Sequence, residues 1–166
     1  MKQLDSIRSK ILDDKTLPST LDKWRKGKNV IVFTNGCFDL IHRGHIDYLA
    51  KAKEMGDKLI IGVNTDRSVS RIKGEHRPLQ DENSRLFILA AMQFVDAVIL
   101  FGEDTPYELI RQVQPDILVK GADYKAEDIV GYDIVKAKGG KVMTIEYLPG
   151  FSTTAIEQKI IEASRK

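Results

Sequence analysis

Asn29-Val30-Ile31-Val32-Phe33-Thr34-Asn35-Gly36-Cys37-Phe38-Asp39-Leu40-Ile41-His42-Arg43-Gly44-His45 runs from a β-branched stretch through a polar turn into the start of a helix. Asn29 to Phe33 is short and almost wholly apolar, which predicts a strand buried on both faces. The helix is expected from about Arg43 to Met55, closed by Gly56. His42 and His45 are three residues apart, so their side chains share one face of that helix. Gly44 between them lets a ligand approach the backbone. The helix N-terminus adds unpaired N–H groups and the positive end of a dipole, an arrangement suited to phosphate. Two imidazoles beside it can stabilise developing charge, at roughly 3–4 kcal/mol for each well-placed donor.

Working outward, the same alternation recurs. Lys58 to Val63, Ala97 to Phe101, Asp116 to Lys120 and Lys141 to Tyr147 read as further strands. Helical patterns fall at about 65–72, 84–94, 106–113, 131–138 and 153–165, with a loop over 73–81. The expected fold is therefore α/β: a Rossmann-like, doubly wound, parallel five-stranded sheet with helices on both faces. On the N-terminal side, Leu4, Ile7, Ile11 and Leu12 have helical spacing, and a short basic helix passes through Trp24 and Arg25. Residues 1–27 are read as a helical extension and 28–166 as the compact domain.

In doubly wound sheets ligands bind beyond the carboxyl ends of the strands, where strand order reverses. Four polar segments follow strands here: Thr34 to His45, Asn64 to Asp66, Lys120 to Tyr124, and Phe151 to Thr154 at the final helix. Within them Asp39 can meet a substrate hydroxyl, a metal or a neighbouring backbone N–H. Lys73 and Arg77 flank Gly74 in a loop and Arg85 opens the next helix, positions from which cations grip phosphates. Lys120 and Asp123 sit at a strand end. Ser152, Thr153 and Thr154 suit both a helix cap and a phosphate site.

Composition narrows the partners. The chain has 166 residues, 42% hydrophobic and 30% charged, with a net charge of +2. That charge gives no pull toward nucleic acid or an anionic membrane. No stretch approaches the roughly 20 apolar residues of a membrane span, and no signal peptide is evident, so a cytoplasmic protein is expected. Cys37 is the single cysteine, so no internal disulfide framework exists, and a packing role is read for it rather than a nucleophilic one. Two histidines on a helix can bind zinc, but no cluster elsewhere supplies the other ligands, so no metal is assigned to protein side chains directly. His76 is read as an exposed loop residue. Gly-x-x-x-x-Gly-Lys-Ser/Thr and Gly-x-Gly-x-x-Gly are both absent, which argues against P-loop and dinucleotide-dehydrogenase chemistry.

Gly36-Cys37-Phe38-Asp39 with His42-Arg43-Gly44-His45, and Gly150-Phe151-Ser152-Thr153-Thr154 near the end, resembles the cytidylyltransferase-like superfamily of nucleotidyltransferases. Lys120-Gly121-Ala122-Asp123-Tyr124 and Ile129-Val130-Gly131 narrow the likeness toward the D-glycero-β-D-manno-heptose 1-phosphate adenylyltransferases. It covers about residues 27–163.

The resemblance implies transfer of an adenylyl group from ATP, with Mg²⁺, to a sugar 1-phosphate. It assigns His42, His45 and Lys73 to catalysis. It assigns Thr34, Asn35, Gly36, Phe38, Ser152, Thr153 and Thr154 to the nucleotide, and Arg85 to a phosphate; the reading of the residues themselves adds Gly44, Lys120 and Asp123 to the nucleotide site and Asp39 and Arg77 beside Arg85 at the substrate phosphate. Self-association as a homodimer or larger homo-oligomer, and a separate sugar kinase supplying the acceptor, are also implied. One departure stands out. Cytidylyltransferases that use glycerol 3-phosphate carry Arg-Thr-Glu-Gly where this chain has Tyr147-Leu148-Pro149-Gly150. The alternatives are a cytidylyltransferase acting on a polyol or alcohol phosphate, and a nucleotide-binding module without turnover.

Overall fold

The computed structural model describes residues 2–165. Six parallel strands form one sheet among them, in the order β1-β4-β3-β2-β5-β6. These are β1 (Ile11–Leu12), β2 (Ile31–Gly36), β3 (Lys58–Asn64), β4 (Ala97–Phe101), β5 (Ile117–Gly121) and β6 (Lys141–Ile145). The helices are α1 (Gln3–Arg8), α2 (Thr16–Lys26), α3 (Arg43–Glu54), α4 (Asp66–Lys73), α5 (Glu82–Ala91), α6 (Tyr107–Val113), α7 (Tyr132–Ala137) and α8 (Thr153–Ser164). No helix among the described residues is long and apolar enough to cross a membrane.

The five expected strands are all present, and the sheet has one more. Ile11 and Leu12 pair with Val98 and Ile99 at the β4 edge. The helical spacing of Leu4, Ile7, Ile11 and Leu12 therefore makes a helix only as far as Arg8. Leu17, Leu21 and Trp24 of α2 pack into the same core as Ile31, Phe33 and Ile99. Within the segment read from sequence as an extension, Ile11 and Leu12 thus supply an edge strand and α2 part of a core layer.

Two apolar layers flank the sheet, and β2 shows how alternation divides them. Ile31 and Phe33 face one cluster, with Ile110, Val113 and Val135. Val32 faces the other, with Leu49, Leu59 and Leu89. Successive strand residues point to opposite faces, so a strand covered on both sides must be apolar throughout. Each such side chain contributes about 1.5–3 kcal/mol through burial.

The chain runs from β2 outward through β3 to β4, then returns to β5 beside β2 and on to β6. Strand order therefore reverses between β2 and β5. The ends of these two strands frame the crevice where such sheets bind ligands.

Candidate active site

The turn after β2 is built by one steric fit. Phe38 has φ +50°, a left-handed conformation uncommon outside glycine. Its ring folds back over Gly36, where a Cβ would meet it at 3.1 Å. The same ring packs edge-on against His45, with centroids 5.5 Å apart. Gly36 and Phe38 thus fix the height of His45 above the strand end.

His42 is the N-cap of α3, with extended backbone, and its carbonyl accepts from the His45 N–H at 2.9 Å. The two imidazoles stack with centroids 3.9 Å apart. Their Nδ1 atoms are buried without a well-formed hydrogen bond, and only the Leu40 carbonyl beside His45 favours a proton there. Gly44 is buried beneath them. A Cβ there would lie 3.1 Å from the His42 ring and from the Phe151 Cβ. Burial, the neighbouring His42 and the Lys73 ammonium hold the His45 pKa down at about 4. Burial also lowers His42. The pair is neutral at neutral pH.

Each histidine opens on a different cavity. His45 lines one of about 130 Å³, with Asn35, Gly36, Lys73, Lys120 and Tyr147. His42 lines one of about 290 Å³, with Arg43, Phe151, Ser152 and Lys159. Lys120 reaches across from β5, where its ammonium donates to the carbonyl and the side-chain oxygen of Asn35 at 3.2 and 3.1 Å. Burial lowers its pKa. Thr34 is fully buried, and its hydroxyl shares a 2.8 Å hydrogen bond with Tyr48. Ser152 caps α8 by accepting from the Ala155 N–H at 3.1 Å. Thr153 donates to the Leu40 carbonyl at 3.4 Å.

Other expected site residues are held elsewhere. Arg85 is fully buried. Its guanidinium donates to the carbonyls of Gln80, Cys37 and Asn64 and to the Asp66 carboxylate, at 2.6–3.1 Å. Arg85 thus meets four protein acceptors here rather than the open crevice. Arg77 pairs with Asp39 and Glu157. Of the three partners open to Asp39, the structure selects backbone N–H groups, those of Leu79 and Gln80, together with Arg77. Burial opposes its charged form, but these donors hold its pKa below the ordinary carboxylate value. Asp39 and Arg77 therefore pin the 74–81 loop to the histidine turn and line neither cavity. Asp123 and Thr154 are exposed and also line neither. The Cys37 thiol is pushed up in pKa by burial, against the pull of Lys73, Arg85 and Lys120, and so is not activated. No three His, Cys, Asp or Glu side chains among the described residues are grouped so as to hold a metal ion.

Sequence reasoning passed over Arg43, Lys159 and Tyr147. Lys159 is seven residues from Ser152, a spacing that returns to the same helix face and could have been read. Tyr147 had no such signal. Its ring lies on the bare backbone of Gly121, where a Cβ would be 2.1 Å from the hydroxyl.

A profile described as cytidylyltransferase-like matches residues 33–160. The bifunctional protein HldE of a Nitratiruptor species is 54% identical over 139 residues, covering 84% of this chain and 29% of that protein. The bifunctional protein HldE of Campylobacter concisus is 51% identical over 139 residues, with the same coverage of 84% and 29%. The chain thus spans about three tenths of the length of these curated relatives. Among solved structures, a lipopolysaccharide core biosynthesis protein from Thermoplasma volcanium matches with a TM-score of 0.61 and 33% identity, over 72% of this chain and 99% of that one. A pantoate-beta-alanine ligase from Francisella tularensis, complexed with beta-gamma ATP and beta-alanine, shares the fold at a TM-score of 0.59 and 20% identity, over 94% of this chain and 79% of that one. The profile spans the crevice from the end of β2 to α8, and on that ground the chain belongs to the cytidylyltransferase-like family of nucleotidyltransferases.

Proposed function

We propose that the protein transfers an adenylyl group from ATP to D-glycero-β-D-manno-heptose 1-phosphate, forming ADP-heptose and pyrophosphate. The observation that carries transfer chemistry is the neutral, stacked His42–His45 pair, with both Nδ1 atoms buried without a well-formed hydrogen bond, between two cavities lined by cations. A phosphate oxygen of the sugar 1-phosphate attacks the α-phosphorus of ATP. The bond from that phosphorus to the bridging oxygen breaks, and pyrophosphate leaves with the electron pair. No covalent enzyme intermediate is needed, because positioning and charge stabilisation lower the barrier.

In this reading His42 and His45 donate hydrogen bonds to the transferring phosphate. Lys73 and Lys120 receive the acceptor phosphate in the smaller cavity. Arg43, Lys159 and the first turn of α8 receive the departing pyrophosphate in the larger one. Magnesium bound together with ATP would supply neutralisation of triphosphate charge, and no cluster of side chains among the described residues would hold it alone. The heptose acceptor is supported by the Lys120 to Tyr124 segment, by the HldE names of the curated relatives and by the lipopolysaccharide core protein of similar fold. The proposal includes a separate sugar kinase as source of the acceptor, a cytoplasmic setting and a homodimeric or larger assembly.

The test is pyrophosphate release with ATP or CTP, each offered heptose 1-phosphate or glycerol 3-phosphate. Release with ATP and heptose 1-phosphate alone is expected. Release with CTP only replaces the adenylyl assignment with a cytidylyl one. Nucleotide binding without release for any acceptor makes the chain a binding module.

A further inference from the structure

α8 is held by polar ties together with partial burial of Thr153, Ala155, Ile156 and Glu157. None of its residues is buried. Ile160 and Ile161 are 60% and 44% exposed. Yet its start supplies Ser152 and Phe151 to the cavity lined by His42. A helix with so little apolar contact needs some other restraint to hold that end at a fixed distance.

The ties are few. Thr153 bonds to the Leu40 carbonyl, and Phe151 rests beside Gly44 with the Arg43 guanidinium 5.5 Å from its ring. Both act at the very start of the helix. A further tie enters one turn later, where Glu157 pairs with Arg77. The other side of the same guanidinium pairs with Asp39 at 2.9 Å, and Asp39 is only 3% exposed. Asp39 in turn holds the backbone of Leu79 and Gln80. One planar fork therefore joins the turn after β2, the loop that follows Lys73, and the final helix. An ammonium group is a point charge and cannot bridge two carboxylates with fixed directions in the same way.

We propose that Arg77 is a positioning residue that clamps α8 through Glu157, so that the Ser152 end of the nucleotide site and the Lys73 loop hold together as one closed unit. The inference rests on the reading that the start of α8 receives nucleotide phosphates. Arg77 itself touches no substrate. Its effect is to remove the freedom of α8 before the nucleotide arrives, which lowers the ordering cost of binding.

Glu157→Gln removes the charge of the α8 arm, leaving at most a neutral hydrogen bond, with the Asp39–Arg77 pair intact. Amide hydrogen exchange of residues 153–164, measured without nucleotide, is expected to quicken about fivefold or more relative to wild type. The KM for ATP is expected to rise about five- to tenfold, with kcat at saturating ATP changed less than about twofold. Arg77→Lys is expected to shift both readouts in the same direction. Unchanged exchange in Glu157→Gln overturns the clamp, and so does faster exchange with an unchanged KM. Titration of the wild type with ATP and with CTP keeps the two readings apart. A protein that binds neither fails the nucleotide reading, while the exchange comparison still decides whether Arg77 holds the helix.

Discussion

The imidazole rings of His42 and His45 stack at 3.9 Å, and each keeps a buried Nδ1 without a well-formed hydrogen bond. Neither ring can take a proton cheaply in the free protein, because burial, the other ring and Lys73 disfavour charge on His45. An arriving triphosphate reverses that field. Nucleotide binding near about pH 6 is therefore expected to take up protons. Calorimetry in buffers of different ionisation enthalpy measures this directly. The uptake should shrink as the pH is raised above about 7 and be lost in His45→Asn. Binding heats independent of buffer would refute it.

The same residue makes stability depend on pH. The folded pKa of His45, about 4, lies below its ordinary value of 6.5. As the pH falls through 6.5 the unfolded chain takes the proton first. The contribution is thus complete above 6.5 and lost as the pH falls toward 4. The urea midpoint should drop between about pH 7.5 and pH 5 in the wild type, and less so in His45→Asn.

Removing the imidazole removes a preorganised donor. His45→Ala is expected to reduce turnover by on the order of a hundredfold or more while the circular dichroism spectrum stays native. Near-normal turnover would mean that His45 only packs.

Gly44→Ala separates positioning from stability. The added methyl would meet the His42 ring and Phe151, both at 3.1 Å, and displace one of them. Alanine is the better helix former by up to about 1 kcal/mol, so the melting temperature should stay within a few degrees. Turnover should fall about tenfold or more, because the reacting groups shift. Equal loss of both would point to a packing defect alone.

Arg85→Met and Lys73→Met should behave oppositely. Arg85→Met leaves three carbonyls, that of Asn64 buried and those of Cys37 and Gln80 part-buried, and Asp66 without this donor. Asp66 is 40% exposed and regains water, so the cost is that of the unsatisfied carbonyls, about 1–3 kcal/mol, visible as a lower denaturant midpoint. Lys73 is exposed. Its replacement should leave the midpoint unchanged and reduce turnover. If Arg85→Met proves as stable as wild type but fails to bind acceptor, Arg85 is a ligand after all.

These contrasts mark what the residues alone reveal. The five long strands were legible because burial on both faces demands continuous apolar runs, a local signal. The histidine turn was legible because Gly36, Phe38 and Gly44 serve a geometry contained within ten residues. β1 was not legible. Ile11 and Leu12 continue a helical spacing, and only pairing with Val98 and Ile99 makes them a strand. The partners of Arg85 were hidden for a related reason. A cation near a polar loop looks the same whether it faces solvent or three carbonyls, and that choice is settled by segments 5 to 48 residues away. Arg77 belongs with it, since its partners Asp39 and Glu157 are 38 and 80 residues distant.

The two cavities share no lining residue, and each takes one member of the stacked pair. That partition has a stereochemical consequence for the proposed reaction. A nucleophile entering from the Lys73 side and a leaving group departing on the Ser152 side approach and quit the phosphorus from opposite directions. A phosphorus centre made chiral by sulfur or oxygen isotopes would pass through the site once and emerge with its handedness inverted.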